Sequence, residues 1–226
     1  MATTETSDQF TPDLPEATQI QPLLRQLAQP KRAHEVNDER FDEIYPSWAG
    51  RNSKSHWTPV QVAVRVADLL TEGQPRIKIL DIGSGVGKFC LVGALASPRA
   101  TFHGIEQRPH FVELAQRLST HYRIARTSYF HADLATWDWR RYHAIYLYNP
   151  FQENRLPGLC LDRTVELEKR KYDSYVSITQ DRLRQMPSGT RVATYHGFGG
   201  AFPENYVRRL AEYCVRGPLE IWEKRR

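Results

Sequence analysis

The sequence predicts an α/β protein, a doubly wound, mainly parallel sheet with helices on both faces. Three observations carry this expectation. Short β-branched runs such as Ile77–Ile82 and Ala144–Tyr148 alternate with helix-patterned segments. The connections between successive strands are long enough for crossovers, which are normally right-handed. The first of these strands also runs directly into a glycine-rich turn, Asp81-Ile82-Gly83-Ser84-Gly85-Val86-Gly87. In such sheets ligands bind at the carboxyl ends of the strands.

The elements follow in order. Residues 1 to about 30 are rich in Thr, Gln, Pro and Asp, with Leu23, Leu24 and Leu27 their main apolar content. They are expected to form a disordered or loosely attached tail. From Lys31 to Trp57, Phe41, Ile44, Tyr45 and Trp48 recur at helical spacing and predict a helical extension over residues 31–57. The main domain then spans 58–226. Thr58 as N-cap and Pro59 at the first helical position open a helix with Val62, Val66, Leu69 and Leu70 as its buried stripe, ended by Gly73. Strand Ile77–Ile82 precedes a helix from about Val86 to Ala96, and strand Thr101–Glu106 precedes one from Pro109 to about Tyr122. Strand Ser128–His131 leads to a short turn or helix around Trp137 and Trp139. Strand Ala144–Tyr148 is followed by a longer polar connection with a helix near Tyr172–Gln185. Strand Arg191–Tyr195 leads through Gly197, Gly199 and Gly200 to a helix near Glu204–Ala211. The last strand is Leu219–Glu223, paired with Tyr213–Arg216 across Gly217-Pro218.

With 226 residues and 40% hydrophobic content the chain can bury one substantial core. Cys90, Cys160 and Cys214 are scattered and form no Cys-x-x-Cys pair, so neither a disulfide framework nor a metal site is expected. No apolar run follows Met1, and no stretch reaches the roughly 18–20 apolar residues of a membrane span, which predicts a cytoplasmic protein with no membrane partner. The net charge is +5, with basic clusters at Arg140-Arg141, Lys169-Arg170-Lys171, Arg208-Arg209 and Lys224-Arg225-Arg226. Most lie among acids and read as solvated charge, a surface for an anionic partner being the alternative.

The glycine turn separates three kinds of site. A P-loop needs Gly-x-x-x-x-Gly-Lys followed by Ser or Thr, but Ile82 stands at the first glycine and Phe89 at the hydroxyl position. A dinucleotide fingerprint needs Gly-x-Gly-x-x-Gly, and its last glycine falls on Lys88. The remaining pattern, Asp-x-Gly-x-Gly-x-Gly, resembles the first motif of the class I S-adenosylmethionine (SAM) methyltransferases. The resemblance implies SAM as cofactor and a seven-stranded order with an antiparallel last strand. It places Gly83, Ser84, Gly85 and Gly87 under the methionine and ribose of the cofactor, and Asp81 near its amino group. Glu106, about twenty residues on with Gln107 beside it, matches the acid that accepts hydrogen bonds from vicinal ribose hydroxyls. Asp133 and Leu134 match the adenine site. Thr58 and Asn149 complete the implied cofactor set. Asp81 as a turn cap and Asp133 as an N-cap are the purely structural alternatives.

For the acceptor, Tyr146-Leu147-Tyr148-Asn149-Pro150-Phe151 resembles the Asn-Pro-Pro-Phe/Tyr motif of methyltransferases acting on planar amino nitrogens, with one proline fewer. Trp57-Thr58-Pro59 resembles the aromatic-Thr-Pro found in several adenine-modifying families. The first motif is also similar to that of the non-SET histone-lysine methyltransferases, which makes protein methylation a competing class. Asn149, Glu153 and His196 are the catalytic candidates, with Asn149 orienting a target nitrogen and the other two binding a cation or removing a proton. The methyl acceptor is open among small molecule, protein and nucleic acid. A noncatalytic protein that binds SAM or S-adenosylhomocysteine is the alternative.

Overall fold

Single strands of this chain carry both faces of the sheet. In β1 (Ile77–Ile82) Ile77 and Ile79 face one core while Leu80 and Ile82 face the other, and in β4 (Ala144–Tyr148) Ala144 and Tyr146 divide in the same way from Ile145 and Leu147. Near-continuous apolar runs of this kind mark strands covered on both sides. The computed structural model describes residues 14–50, 56–156, 160–162 and 164–225. Its sheet has the order β3-β2-β1-β4-β5-β7-β6. β2 (Ala100–Glu106), β3 (Thr127–His131) and β5 (Arg191–Tyr195) run parallel to β1 and β4. β7 (Gly217–Lys224) is antiparallel to both β5 and β6 (Tyr206–Cys214). The mainly parallel sheet is the one expected from the sequence pattern, and the seven strands with an antiparallel last one are those the resemblance implied. The order reverses between β1 and β4, which opens a crevice at their carboxyl ends.

The larger core lies under five helices. They are α1 (Ala17–Leu27), α2 (Asp38–Asp42), α4 (Val60–Thr71), α5 (Lys88–Ala96) and α6 (Pro109–His121), with the one-turn α3 (Ser47–Gly50) beside them. α5 is buried nearly all round because the sheet covers one side and α4 and α1 cover the others, so it shows no polar stripe. The opposite core is covered by α8 (Lys169–Gln185) and a 3-10 turn at Trp139–Arg141, after the one-turn α7 (Gln152–Arg155).

Four expectations need correction. The tail expected over residues 1 to about 30 is helical from Ala17 and buries Ile20, Leu23, Leu24 and Leu27, while residues 1–13 lie outside the described residues. No helix forms near Glu204–Ala211, where the chain is the edge strand β6. That strand is exposed along much of its length and bulged between Arg208 and Leu210, so it lacks the apolar alternation that identifies a strand. Thr58 does not cap α4. Pro59 holds the N-cap position, the Val60 N–H is taken by Asp38 Oδ1 at 2.9 Å, and the Thr58 hydroxyl pairs with Tyr146 Oη at 3.0 Å inside the core. Lys224 is buried rather than solvated, and its ammonium donates to the carbonyls of Leu183, Arg184 and Met186 at the end of α8, while Arg226 lies outside the described residues.

Candidate functional site

At the carboxyl end of β1 the backbone turns through three glycines at positive φ, Gly83, Gly85 and Gly87. Gly83 and Ser84 both donate their N–H to the Ile105 carbonyl at 3.0 Å, which ties the turn to β2. Gly87 has a φ of +81°, and a Cβ there would stand 2.7 Å from the Tyr129 ring. Gly85 also has a positive φ, +53°, but an added Cβ meets no protein atom within 4 Å. Gly85 instead lines a cavity of about 340 Å³, a size typical of small-molecule sites. Beside it the Ser84 hydroxyl is buried with no hydrogen-bond partner among the described residues.

The same cavity gathers acids from successive strand ends. Asp81 is 4% exposed, and among the described residues its one hydrogen-bond donor is the Cys90 thiol at 3.6 Å. Burial raises its pKa to about 8; the Cys90 contact opposes this shift and the nearby Glu106 adds to it. Glu106, at the end of β2, is also 4% exposed but better held. Its Oε2 accepts the Gly85 N–H and its Oε1 the Arg108 N–H, each at 3.0 Å. Burial pushes Glu106 upward, and the Arg108 guanidinium with the two N–H groups restrains the shift. Carboxylate oxygens have two acceptor directions each, so both oxygens retain capacity for a ligand. Asp133 beyond β3 accepts the Ala135 N–H at 2.7 Å, as a turn cap does, and the Tyr175 hydroxyl of α8 at 3.0 Å. Gln107 and Leu134 line the cavity beside these acids.

The turn after β4 closes the other side. Asn149 has φ +39°, a conformation in which Asn is enriched, and its N–H donates to the Gly197 carbonyl at 3.0 Å. Pro150 follows so closely on the glycine turn that a Cβ on Gly83 would lie 3.3 Å from its Cβ. His196, also at positive φ, stacks near Tyr148 with ring centroids 5.8 Å apart and packs its Nε2 onto the bare Gly217. Burial, and then the charge of Arg216, lowers its pKa and keeps it neutral at pH 7. Glu153 lines the cavity, but its Oε2 is engaged by Arg108 at 2.7 Å and by the Leu161 N–H at 3.1 Å.

The structure therefore brings Thr58, Asp81, Gly83, Ser84, Gly85, Glu106, Gln107, Asp133, Leu134, Asn149, Glu153 and His196 to one cavity. Gly87 packs behind it against Tyr129. Sequence reasoning missed two buried cations that border it. Arg108 is 2% exposed and surrounded by Glu106, Glu153 and Asp162. Lys88, also 2% exposed, pairs with Asp38 and Asp42 of α2 at 2.7 and 2.6 Å. His56 and Tyr175 complete the wall. No local signal marks these residues, because Glu153 and Asp162 for Arg108, and Asp38 and Asp42 for Lys88, are remote in sequence.

The sheet order is that of the Rossmann-like methyltransferase fold. Among solved structures, TrmN from Thermus thermophilus superposes with a TM-score of 0.53 at 17% identity over 73% of this chain. The chain spans 48% of that protein's length. An RNA methyltransferase from Salinibacter ruber in complex with S-adenosylhomocysteine gives 0.51 and 17%, covering 71% of this chain and 91% of its own. Magnesium protoporphyrin IX methyltransferase from Synechocystis PCC 6803 with bound SAM gives 0.51 and 14%, covering 74% and 79%. No family model and no curated protein matches the sequence.

Proposed function

We propose that this chain is a SAM-dependent methyltransferase whose acceptor is a nitrogen nucleophile. The observation that carries the reading is Glu106, a buried carboxylate at the end of β2, oriented by the Gly85 N–H and facing the cavity. The cavity fits the cofactor. Gly85 leaves space that a side chain would fill, the Ser84 hydroxyl is unpartnered, and the buried Asp81 carboxyl suits an ammonium. When bound, SAM supplies a methyl group on a sulfonium that departs as a neutral thioether. Glu106 would accept the ribose hydroxyls, Asp81 would hold the amino group and Asp133 the adenine amino group. Asn149 turns its amide toward the acceptor N–H, which orients the nitrogen for attack. Glu153 is committed to Arg108 and Leu161, so His196 remains the candidate for taking a proton.

Calorimetry with SAM tests the donor site. Glu106→Ala is expected to weaken binding by about 10- to 100-fold, because two hydroxyls lose a charged acceptor. Unchanged affinity removes the assignment, and thermal stabilisation by NAD but not by SAM removes the whole reading. Transfer of labelled methyl into fractionated extract tests the acceptor. Asn149→Ala should then lower turnover more than SAM affinity, whereas equal losses place Asn149 in the donor site alone.

A further inference from the structure

Arg108 donates in several directions from a site closed to water. Its backbone N–H reaches Glu106 Oε1 at 3.0 Å, with Nη1 of the same residue 3.7 Å from that oxygen. Nη2 lies 2.7 Å from Glu153 Oε2, and Nε lies 3.0 Å from Asp162 Oδ1. The Phe111 ring lies 5.7 Å from the guanidinium. Glu153 also accepts the Leu161 N–H, Asp162 Oδ1 also accepts the Thr164 N–H and hydroxyl, and His110 Nε2 lies 3.0 Å from Asp162 Oδ2. Glu153, Leu161, Asp162 and Thr164 are thus gathered around one buried cation that also lies beside the acid at the end of β2. A guanidinium has five donors in fixed directions, and an ammonium cannot reproduce that fork.

We propose that Arg108 is a positioning residue that couples the orientation of Glu106 to the chain segment after β4, so that one side chain sets both the ribose acceptor and the wall formed by Glu153 and Leu161. The proposal rests on Glu106 being the ribose ligand. Without the cation, the carboxylates of Glu106, Glu153 and Asp162 repel one another, and Glu106 keeps its two backbone N–H donors but loses the charge 3.7 Å from its Oε1 that holds it against that repulsion. Asp162 does not line the cavity, and its link to Glu106 runs through Arg108.

The test is calorimetric affinity for S-adenosylhomocysteine and for its 2′-deoxy analogue. It compares wild type, Arg108→Lys, Asp162→Asn and the double variant, with folding checked by circular dichroism. Wild type should prefer the ribose form by about tenfold, the difference of a charged hydrogen bond. Arg108→Lys should lose about tenfold for S-adenosylhomocysteine and bring the preference close to one. Asp162→Asn, a partly exposed position, should lose a few-fold and keep its fold, and the double variant should be no worse than Arg108→Lys alone. Retained preference in Arg108→Lys, equal weakening of both ligands, or strictly additive losses overturn the coupling. A wild-type protein that binds neither ligand overturns the methyltransferase reading together with it. Undisturbed discrimination in Arg108→Lys overturns this proposal alone.

Discussion

Burial holds the Asp81 carboxyl at a pKa of about 8, with a thiol as its hydrogen-bond donor. The folded protein therefore keeps a proton at pH 7 that the unfolded chain, with an aspartate pKa of about 3.9, has released. Fewer protons bound in the unfolded state means that this group makes stability fall as pH rises from about 4 to about 8. A ligand ammonium beside Asp81 favours the charged form and reverses its preference. Binding of S-adenosylhomocysteine at pH 7 should then release close to one proton, seen as a dependence of calorimetric enthalpy on the ionisation enthalpy of the buffer. Asp81→Asn should abolish the release, and a wild-type enthalpy independent of buffer would show that no ammonium reaches Asp81. The sequence made Asp81, Glu106 and Asn149 legible because each stands at a strand end, where local order alone points it at the crevice. Arg108 was not legible: Glu153 and Asp162 lie 45 and 54 residues away in the chain, and nothing near Arg108 announces burial.

The two faces of the sheet explain which elements could be read in advance. β1, β4 and β5 are buried on both sides, so their apolar runs stand out, and the structure returns the expected bounds for all three. β6 lies at the edge, where its arginines pair across to β7, as Arg208 does with Glu220 at 2.9 Å and Arg209 with Glu223 at 3.2 Å. Charged edges of this kind discourage strand addition, but they also hide the strand from a reading based on periodicity. The junction of β1 and α5 gives a prediction in which stability and binding separate. Gly87→Ala meets both a positive φ and the Tyr129 ring, and should cost about 2–3 kcal/mol. At roughly 2–4 °C per kcal/mol for a chain of this size, the melting temperature should fall by about 4–12 °C. Gly85→Ala has the same backbone strain in open space, so it should cost about 1 kcal/mol. Its Cβ meets no protein atom and is expected to compete with the donor instead. Thermal melts with and without SAM decide this: equal destabilisation, or undiminished SAM binding by Gly85→Ala, would contradict the packing described here.

At the scale of the whole molecule, the segment before the main domain is part of the site's foundation. α1 buries its apolar face in the larger core, and Asp38 of α2 holds both the Val60 N–H that begins α4 and the Lys88 ammonium that begins α5. A cation at a helix N-terminus opposes the helix dipole, and the carboxylates of Asp38 and Asp42 offset that cost. The three charges differ in access to water, since Lys88 is 2% exposed while the Asp42 and Asp38 side chains are 16% and 33% exposed. Removing the acids therefore leaves a buried cation, whereas removing the lysine leaves acids that can turn toward solvent. Asp38→Asn with Asp42→Asn should cost about 3–5 kcal/mol, as breaking a buried pair from one side does. Lys88→Met should cost less, about 1–2 kcal/mol, and the triple variant should recover much of the loss, because a buried pair replaced entirely is often nearly neutral. Urea denaturation of the full chain measures all three, with donor affinity followed in parallel. The expected order is double acid variant, then Lys88→Met, then the triple variant, from largest loss to smallest. SAM affinity should weaken most in the double acid variant, since α4 loses its cap beside Thr58 while α5 loses its counterions beside the glycine turn. The reverse order would mean that the apolar face of α1 alone holds the extension, and that the ion pairs only accompany its docking.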